Sequence, residues 1–294
     1  MKKIIILNIC FILFLGCGSF GNKETGNKKD MRIVCVSKQL TEMVFALGKG
    51  HDIVAKDLTS TYPDSAKLIP TVGYHRMLSA EGIISANPDV VIHGNDIGPE
   101  TVLPQLIKAG VNVKAFGGAN SYDSAKILLK QLGSFLQVDA TADSIIKKMD
   151  ADMEKVYASE KELKDSPTVM VIHYGQANNI FFVMSGRKGA ADKMIELAGG
   201  RAAIYDAKGA RQISAEAVAV ANPDVIIATD FGFDKMGGAE KFKEVPGVAL
   251  TNAAKNNRIY RFEEHDLVYF GPRTAENILN LMKLIHTTAD VQKK

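Results

Sequence analysis

The sequence predicts an α/β protein of two related lobes joined by one long helix, with a ligand cleft between them. Three observations predict it. Apolar strand-like runs alternate with helix-like segments, which argues for parallel-rich packing. One element occurs twice: Leu78–Ile92, "LSAEGIISANPDVVI", matches Ile213–Ile227, "ISAEAVAVANPDVII", without a gap at an offset of 135 residues. A period this long rules out a solenoid of short units and implies two related lobes. A charged amphipathic stretch, Thr141–Lys164, separates the copies, with Ile145, Ile146, Met149, Met153 and Val156 on one side, as a single connecting helix requires. Clefts between lobes are where ligands usually bind.

In chain order, Lys2 and Lys3 precede "IIILNICFILFLG", an apolar run too short to favour a membrane span, which ends at Gly16 before Cys17. This resembles a bacterial lipoprotein signal, in which residues 1–16 are removed and Cys17 is lipidated. Phe14 stands where an aliphatic residue is commoner in that pattern, and the alternative is an uncleaved N-terminal anchor. Residues 17–30, rich in Gly, Asn and Lys, read as a flexible tether. The first lobe then spans 31–140, with strands in "MRIVCVS", "DIVAKD", "DVVIHG" and "VNVKAFG". Its first helix lies in "KQLTEMVFALGKG", where Leu40, Met43, Val44 and Leu47 fall at helical spacing and Gly48 supplies a stop. The connecting helix takes 141–166. The second lobe, 167–294, repeats the plan with "TVMVIHYG", "NIFFVMSG", "DVIIATDF" and "RIYRF", and with a helix in "GAADKMIELAGG". In both copies of the repeat, Ser-x-Glu suits a helix N-terminus and Asn-Pro-Asp a turn into a buried strand.

Composition excludes several classes. The formal charge of +3 falls to about +1 without the signal, so nothing points to nucleic acid. Of the three cysteines, Cys10 and Cys17 belong to the signal and anchor, which leaves Cys35 as one thiol inside an apolar strand, a buried hydrophobe with no disulfide partner. The nucleotide-binding P-loop, G-x-S-x-G and H-E-x-x-H are all absent, and the six histidines show no metal-ligand spacing. The G-x-G-x-x-G at Gly16–Gly21 straddles the expected cleavage site. The expectation is therefore a binding protein and not an enzyme.

The lipoprotein start, the doubled "SAE…NPDV" element and the long connecting helix resemble the substrate-binding proteins that serve ABC importers of haem, cobalamin and iron-siderophores. The resemblance covers about residues 31–286. Within that group, "VGYHRMLSAEG", "SGRKGAADKMIELAGGRAA" and "FGPRTAENI" are most similar to the haem-binding members. It implies two Rossmann-like lobes, a monomer, haem as transported ligand and not as catalytic cofactor, and a permease dimer with its ATPase as partner. The chain would be exported and lipid-anchored at the cell envelope. Ferric siderophores, cobalamin, and a cell-surface haem reservoir without a permease remain as alternatives.

The resemblance also assigns residues. Tyr74, in a Tyr-x-Arg setting, matches the tyrosine that gives an axial phenolate to ferric iron, a hard donor suited to Fe(III). Arg76 is the expected cation beside it, on the premise that positions two apart on an extended strand end face the same way. His75 would then point away as a bystander, and it is the next candidate ligand if Tyr74 does not bind. The repeat maps Arg76 onto Arg211, which could support the Tyr74 oxygen, meet a propionate, or be a solvated loop charge. Arg187, at a helix N-terminus, and Arg273 suit a carboxylate, though Arg273 could simply brace the helix it begins. His173 or Tyr174, at a strand end, could approach the distal face. Met77 and Phe231 or Phe270 are candidate packing partners for the macrocycle. Glu81 and Glu216, at identical repeat positions, would dock against arginines of the two-fold permease.

Overall fold

The computed structural model describes residues 31–175, 180–186, 189–204, 211, 212 and 214–286. The first lobe runs β1 (Ile33–Val36), α1 (Lys38–Ala46), β2 (Ile53–Lys56), α2 (Ala80–Ser85), β3 (Val90–His93), α3 (Val102–Lys108), β4 (Val113–Ala115) and α4 (Tyr122–Phe135). The connecting helix is α5 (Asp139–Glu160). The second lobe opens with β5 (Thr168–Gly175), β6 (Ile180–Val183), α6 (Ala190–Leu197), β7 (Arg201–Ala202), β8 (Arg211–Gln212), α7 (Ala215–Ala221) and β9 (Val225–Thr229). It continues through α8 (Asp230–Met236), α9 (Ala239–Phe242), α10 (Asn252–Lys255), β10 (Ile259–Phe262), α11 (Glu264–Val268) and α12 (Thr274–His286).

The first sheet, ordered β2-β1-β3-β4, is parallel throughout, with Ile33 to Val36 of β1 opposite Val90 to His93 of β3. The second, ordered β10-β9-β5-β6-β8, is parallel from β10 to β5, while β6 runs antiparallel to β5 and β8 antiparallel to β6. The second lobe is thus a variation on the first and not a copy of it. Strand alternation sends Ile33 and Cys35 to one face of the first sheet and Val34 and Val36 to the other. The same alternation puts Val169 and Val171 opposite Met170 and Ile172 in the second. Burial pushes the Cys35 thiol up to about 12, so it is the inert hydrophobe its strand predicts.

One apolar core is continuous through both lobes. It takes Leu40 and Met43 from α1, Met149, Met153 and Val156 from α5, and Leu267, Phe270 and Ile278 from the far end of the chain. Ile145 and Ile146 pack against the same core, so α5 buries the stripe the sequence predicts.

The duplicated element has a physical reason at three of its identical positions, the serine, the asparagine and the aspartate. Ser79 and Ser214 accept a hydrogen bond from the backbone N–H of Gly82 and Ala217, at 3.3 Å and 3.1 Å, and so cap α2 and α7. Asn87 and Asn222 both adopt the left-handed conformation, φ 48° and 40°, which asparagine tolerates better than most residues. The Asp89 and Asp224 carboxylates each accept the backbone N–H at the head of the neighbouring strand, Arg32 and Thr168, both at 2.9 Å.

Candidate functional site

The carboxyl ends of the first-lobe strands meet α11 and the segment after it across a cleft of about 280 Å³. Ligands of open α/β sheets bind at that end of the strands. From the first lobe, Lys38, His75, Asn95, Asp96 and Gly117 line it; from the second, Val268 and Tyr269.

Tyr74 opens a tight turn and not an extended strand end. Gly73, at φ 104°, turns the chain into it, a conformation glycine adopts without strain. The Met77 N–H donates to the Tyr74 carbonyl at 2.8 Å, and the turn is clasped to the following loop by Gly98 N–H to His75 O (2.8 Å) and Leu78 N–H to Gly98 O (2.9 Å). A Cβ at Gly98 would lie 2.9 Å from the Arg76 carbonyl oxygen. Gly98→Ala is therefore expected to displace the turn and cost about 1–3 kcal/mol, read as a lowered denaturant midpoint at unchanged slope.

The turn corrects the expected roles of its neighbours. Arg76 has another partner: its side chain is 62% exposed, with its guanidinium 3.6 Å from Asp96. His75 is no bystander. It lines the cleft with Nε2 3.1 Å from Asp96 and Nδ1 3.6 Å from Asp57, and its ring meets Tyr74 edge-on at 4.6 Å. With both nitrogens engaged, it is not the reserve iron ligand either. Burial works against its charged form, but the two carboxylates outweigh it and raise the imidazolium to about 9. Asp57 is fully buried and accepts from the Thr59 N–H at 2.8 Å and from the hydroxyls of Thr59 and Ser60. Burial opposes its ionisation too; His75, Ser60 and Thr59 hold it below the usual carboxylate range. Among the described residues the Tyr74 hydroxyl carries no hydrogen bond, and exposed Leu58 and Met77 flank the turn, Leu58 N–H bonding the Gly73 carbonyl at 2.8 Å.

Across the cleft, the second lobe presents Tyr269, beneath the Lys38 ammonium at 5.5 Å, and the Lys38–Glu264 ion pair. Burial, with Glu264, Asp96 and Asp57, raises the Tyr269 phenol above its ordinary range. Tyr269, Asp57, Asp96 and Lys38 escape sequence reasoning. For Tyr269 the available signal is its place beside the quoted "FGPRT", directly after the short helix that follows β10.

Of the predicted second-lobe residues, His173 holds the Thr229 hydroxyl at 3.0 Å through Nδ1, and burial lowers its pKa, so the ring is a neutral imidazole. Tyr174 points to the opposite face, as strand alternation requires. It is buried among Phe181 and Phe231 and bonded by Lys235, so it is not a distal cleft ligand. Arg273 is not a free propionate donor. Its guanidinium makes a two-point contact with Glu42 of α1 at 3.0 and 3.2 Å, pairs with Asp266 at 2.6 Å, and lies 3.6 Å over the Tyr62 ring. His265 also bonds Glu42, so these second-lobe groups clasp the first lobe. Phe270 is sealed in the core, while Met77 and Phe231 are exposed. Glu81 and Glu216 are exposed in the first turns of α2 and α7. Arg187 and Cys17 lie outside the described residues, as does the side chain of Arg211.

This architecture has known counterparts. The chain is 31% identical to the periplasmic heme-binding protein RhuT of Roseiflexus sp. RS-1, covering 88% of this chain and 99% of that one with a TM-score of 0.82. It is 26% identical to the uncharacterized ABC transporter substrate-binding lipoprotein YvrC of Bacillus subtilis strain 168, over 89% of this chain and 82% of YvrC. It is 21% identical to the vitamin B12-binding protein of Pectobacterium atrosepticum strain SCRI 1043, over 72% and 75%. The sequence pattern of one family runs across both lobes, from β1 at residue 33 to α11 at residue 265, and by that match the chain belongs to the periplasmic binding protein family.

Proposed function

We propose that the chain is the substrate-binding protein of an ABC importer and that its substrate is haem, held in the inter-lobe cleft with Tyr74 as an oxygen ligand to ferric iron. The observation that carries this reading is Tyr74 itself. It is a phenol in a clasped turn beside the cleft, unbonded among the described residues and flanked by the exposed apolar side chains of Leu58 and Met77. A macrocycle with a broad apolar face and a hard metal centre suits that combination of donor and surface. The likeness to RhuT supports the same substrate. His173, a neutral imidazole whose Nδ1 is already held, offers Nε2 as a second donor from the other lobe. Arg76, exposed and lightly paired, serves a propionate.

Cobalamin is the second reading, favoured by the vitamin B12-binding relative. A hemin titration of the purified chain followed by visible absorption, with Tyr74→Ala run beside it, separates the two. Saturable binding with a ferric–phenolate charge-transfer band that the substitution removes is the expected result. Spectra that are the same in both proteins, together with saturable cobalamin binding, would transfer the substrate to the corrinoid class.

Delivery uses Glu81 and Glu216. A protein built from two related lobes that meets a two-fold permease can present one carboxylate to each half, and exposed charges of this kind chiefly set orientation and on-rate. Charge reversal at both positions is expected to leave hemin affinity in place and to abolish uptake in cells; undiminished uptake would remove these residues from docking. Cys17 anchors the exported chain at the envelope.

A further inference from the structure

The Tyr74 turn carries a side chain that no ligand set assigns. His75 is tethered twice, through Nε2 to Asp96 at 3.1 Å and through Nδ1 to Asp57 at 3.6 Å. The tethers lead to two different strands, because Asp57 directly follows β2 and Asp96 lies just beyond β3. Asp57 is itself fully buried and bonded by the Thr59 backbone and by two hydroxyls. The ring so fixed packs against Tyr74 with centroids 4.6 Å apart and planes inclined at 63°, the edge-on arrangement aromatic pairs favour. Arg76, the other polar neighbour, extends into solvent and contacts Asp96 instead.

We propose that His75 is the positioning residue for the Tyr74 ligand: a ring tethered to the ends of two core strands, it sets the direction from which the phenol oxygen meets the substrate iron. The proposal rests on the haem reading above. Its physical basis is general. A metal-binding side chain is only as well oriented as the groups packed on it, and their loss typically costs 10- to 100-fold in affinity. A tyrosine has two rotatable bonds between backbone and ring, and here the edge contact with His75 restrains them.

The test is hemin binding to the purified chain, followed by affinity and by the resonance Raman vibration of the iron–phenolate bond. It compares the unmodified protein with His75→Gln, Asp96→Ala and Arg76→Gln, and circular dichroism confirms that each folds. His75→Gln and Asp96→Ala are expected to weaken hemin binding roughly 10- to 100-fold and to shift the vibration in the same direction. Arg76→Gln is expected to weaken binding by less and to leave the vibration in place. If the unmodified chain shows the iron–phenolate signature while His75→Gln and Asp96→Ala match it in affinity and frequency, the proposal is overturned and the haem reading stands. Absence of the signature from the unmodified chain overturns the haem reading, and the proposal with it. Asp96→Ala, at an exposed position, carries the test by itself if His75→Gln does not fold.

Discussion

Glu42→Gln is expected to destabilise the folded chain by about 3 kcal/mol, because it removes one partner from a buried inter-lobe ion cluster. Glu42 lies on α1, is 7% exposed, and accepts from His265 and from two nitrogens of Arg273, both on the other lobe. Substitution leaves the Arg273 guanidinium and the His265 ring facing a neutral amide. The loss stays at the low end for such a cluster because Arg273 keeps Asp266 at 2.6 Å. Chemical denaturation at neutral pH, comparing midpoints at equal slope, reads the effect directly.

The pH dependence of that loss has a definite sign. Burial opposes ionisation of Glu42, yet the hydrogen bonds and charges of His265 and Arg273 more than compensate, so its carboxyl lies below the ordinary value of 4.5 in the folded state. A depressed carboxyl contributes stability that is fully present above the unfolded-state value and disappears as pH falls through the folded-state one. The gap between the unmodified chain and Glu42→Gln is therefore expected to be widest near neutrality and to close in acid below about pH 4.5. A gap that does not change with pH would mean that the cluster acts through shape and not through charge.

Asp57→Ala is expected to cost about 3–5 kcal/mol and, in addition, to weaken hemin binding about tenfold. The stability loss has three sources. The Thr59 N–H and two hydroxyls lose their acceptor, His75 loses one of its tethers, and the neighbouring Lys56, 4% exposed, loses a counter-charge. Burial depresses the Lys56 pKa and the Asp57 carboxylate opposes that depression, so removing Asp57 leaves a poorly solvated ammonium. The binding loss follows from freeing the ring packed on Tyr74. Asp57→Asn separates the effects, since the amide oxygen can still accept from Thr59 while the charge is gone. Denaturation and a hemin titration on both variants check the prediction; equal hemin affinity in all three proteins would confine Asp57 to the fold.

These charges mark where sequence reading succeeds and where it stops. The strands, the long helix and the doubled element are all legible because their cues are local. Ser79 and Ser214 cap, Asn87 and Asn222 take the left-handed turn, and Asp89 and Asp224 bind a strand head. Each cue acts within a few residues of a periodic apolar run, apart from the carboxylate bond that each copy makes to the head of a neighbouring strand. Glu81 and Glu216 stand out as candidates for the same reason, since they occupy identical positions of the repeat, whereas Tyr74 stands out through the family resemblance.

Tertiary structure alone decides which polar groups meet. Tyr174 and His173 are neighbours in sequence, and the pleat of β5 sends one into the core with Lys235 and leaves the other on Thr229. Arg273 reads as an anion-binding arginine until folding brings Glu42, 231 positions earlier, onto its guanidinium. Arg76 reads as the partner of Tyr74 until the turn clasped by Gly98 hands it to Asp96 and puts His75 against the phenol. The sequence by itself therefore determined the lobes and their duplication. The partners of each charge depended on how the lobes pack, because a buried ion pair is set by distances between atoms far apart in the chain, and no local pattern encodes those distances.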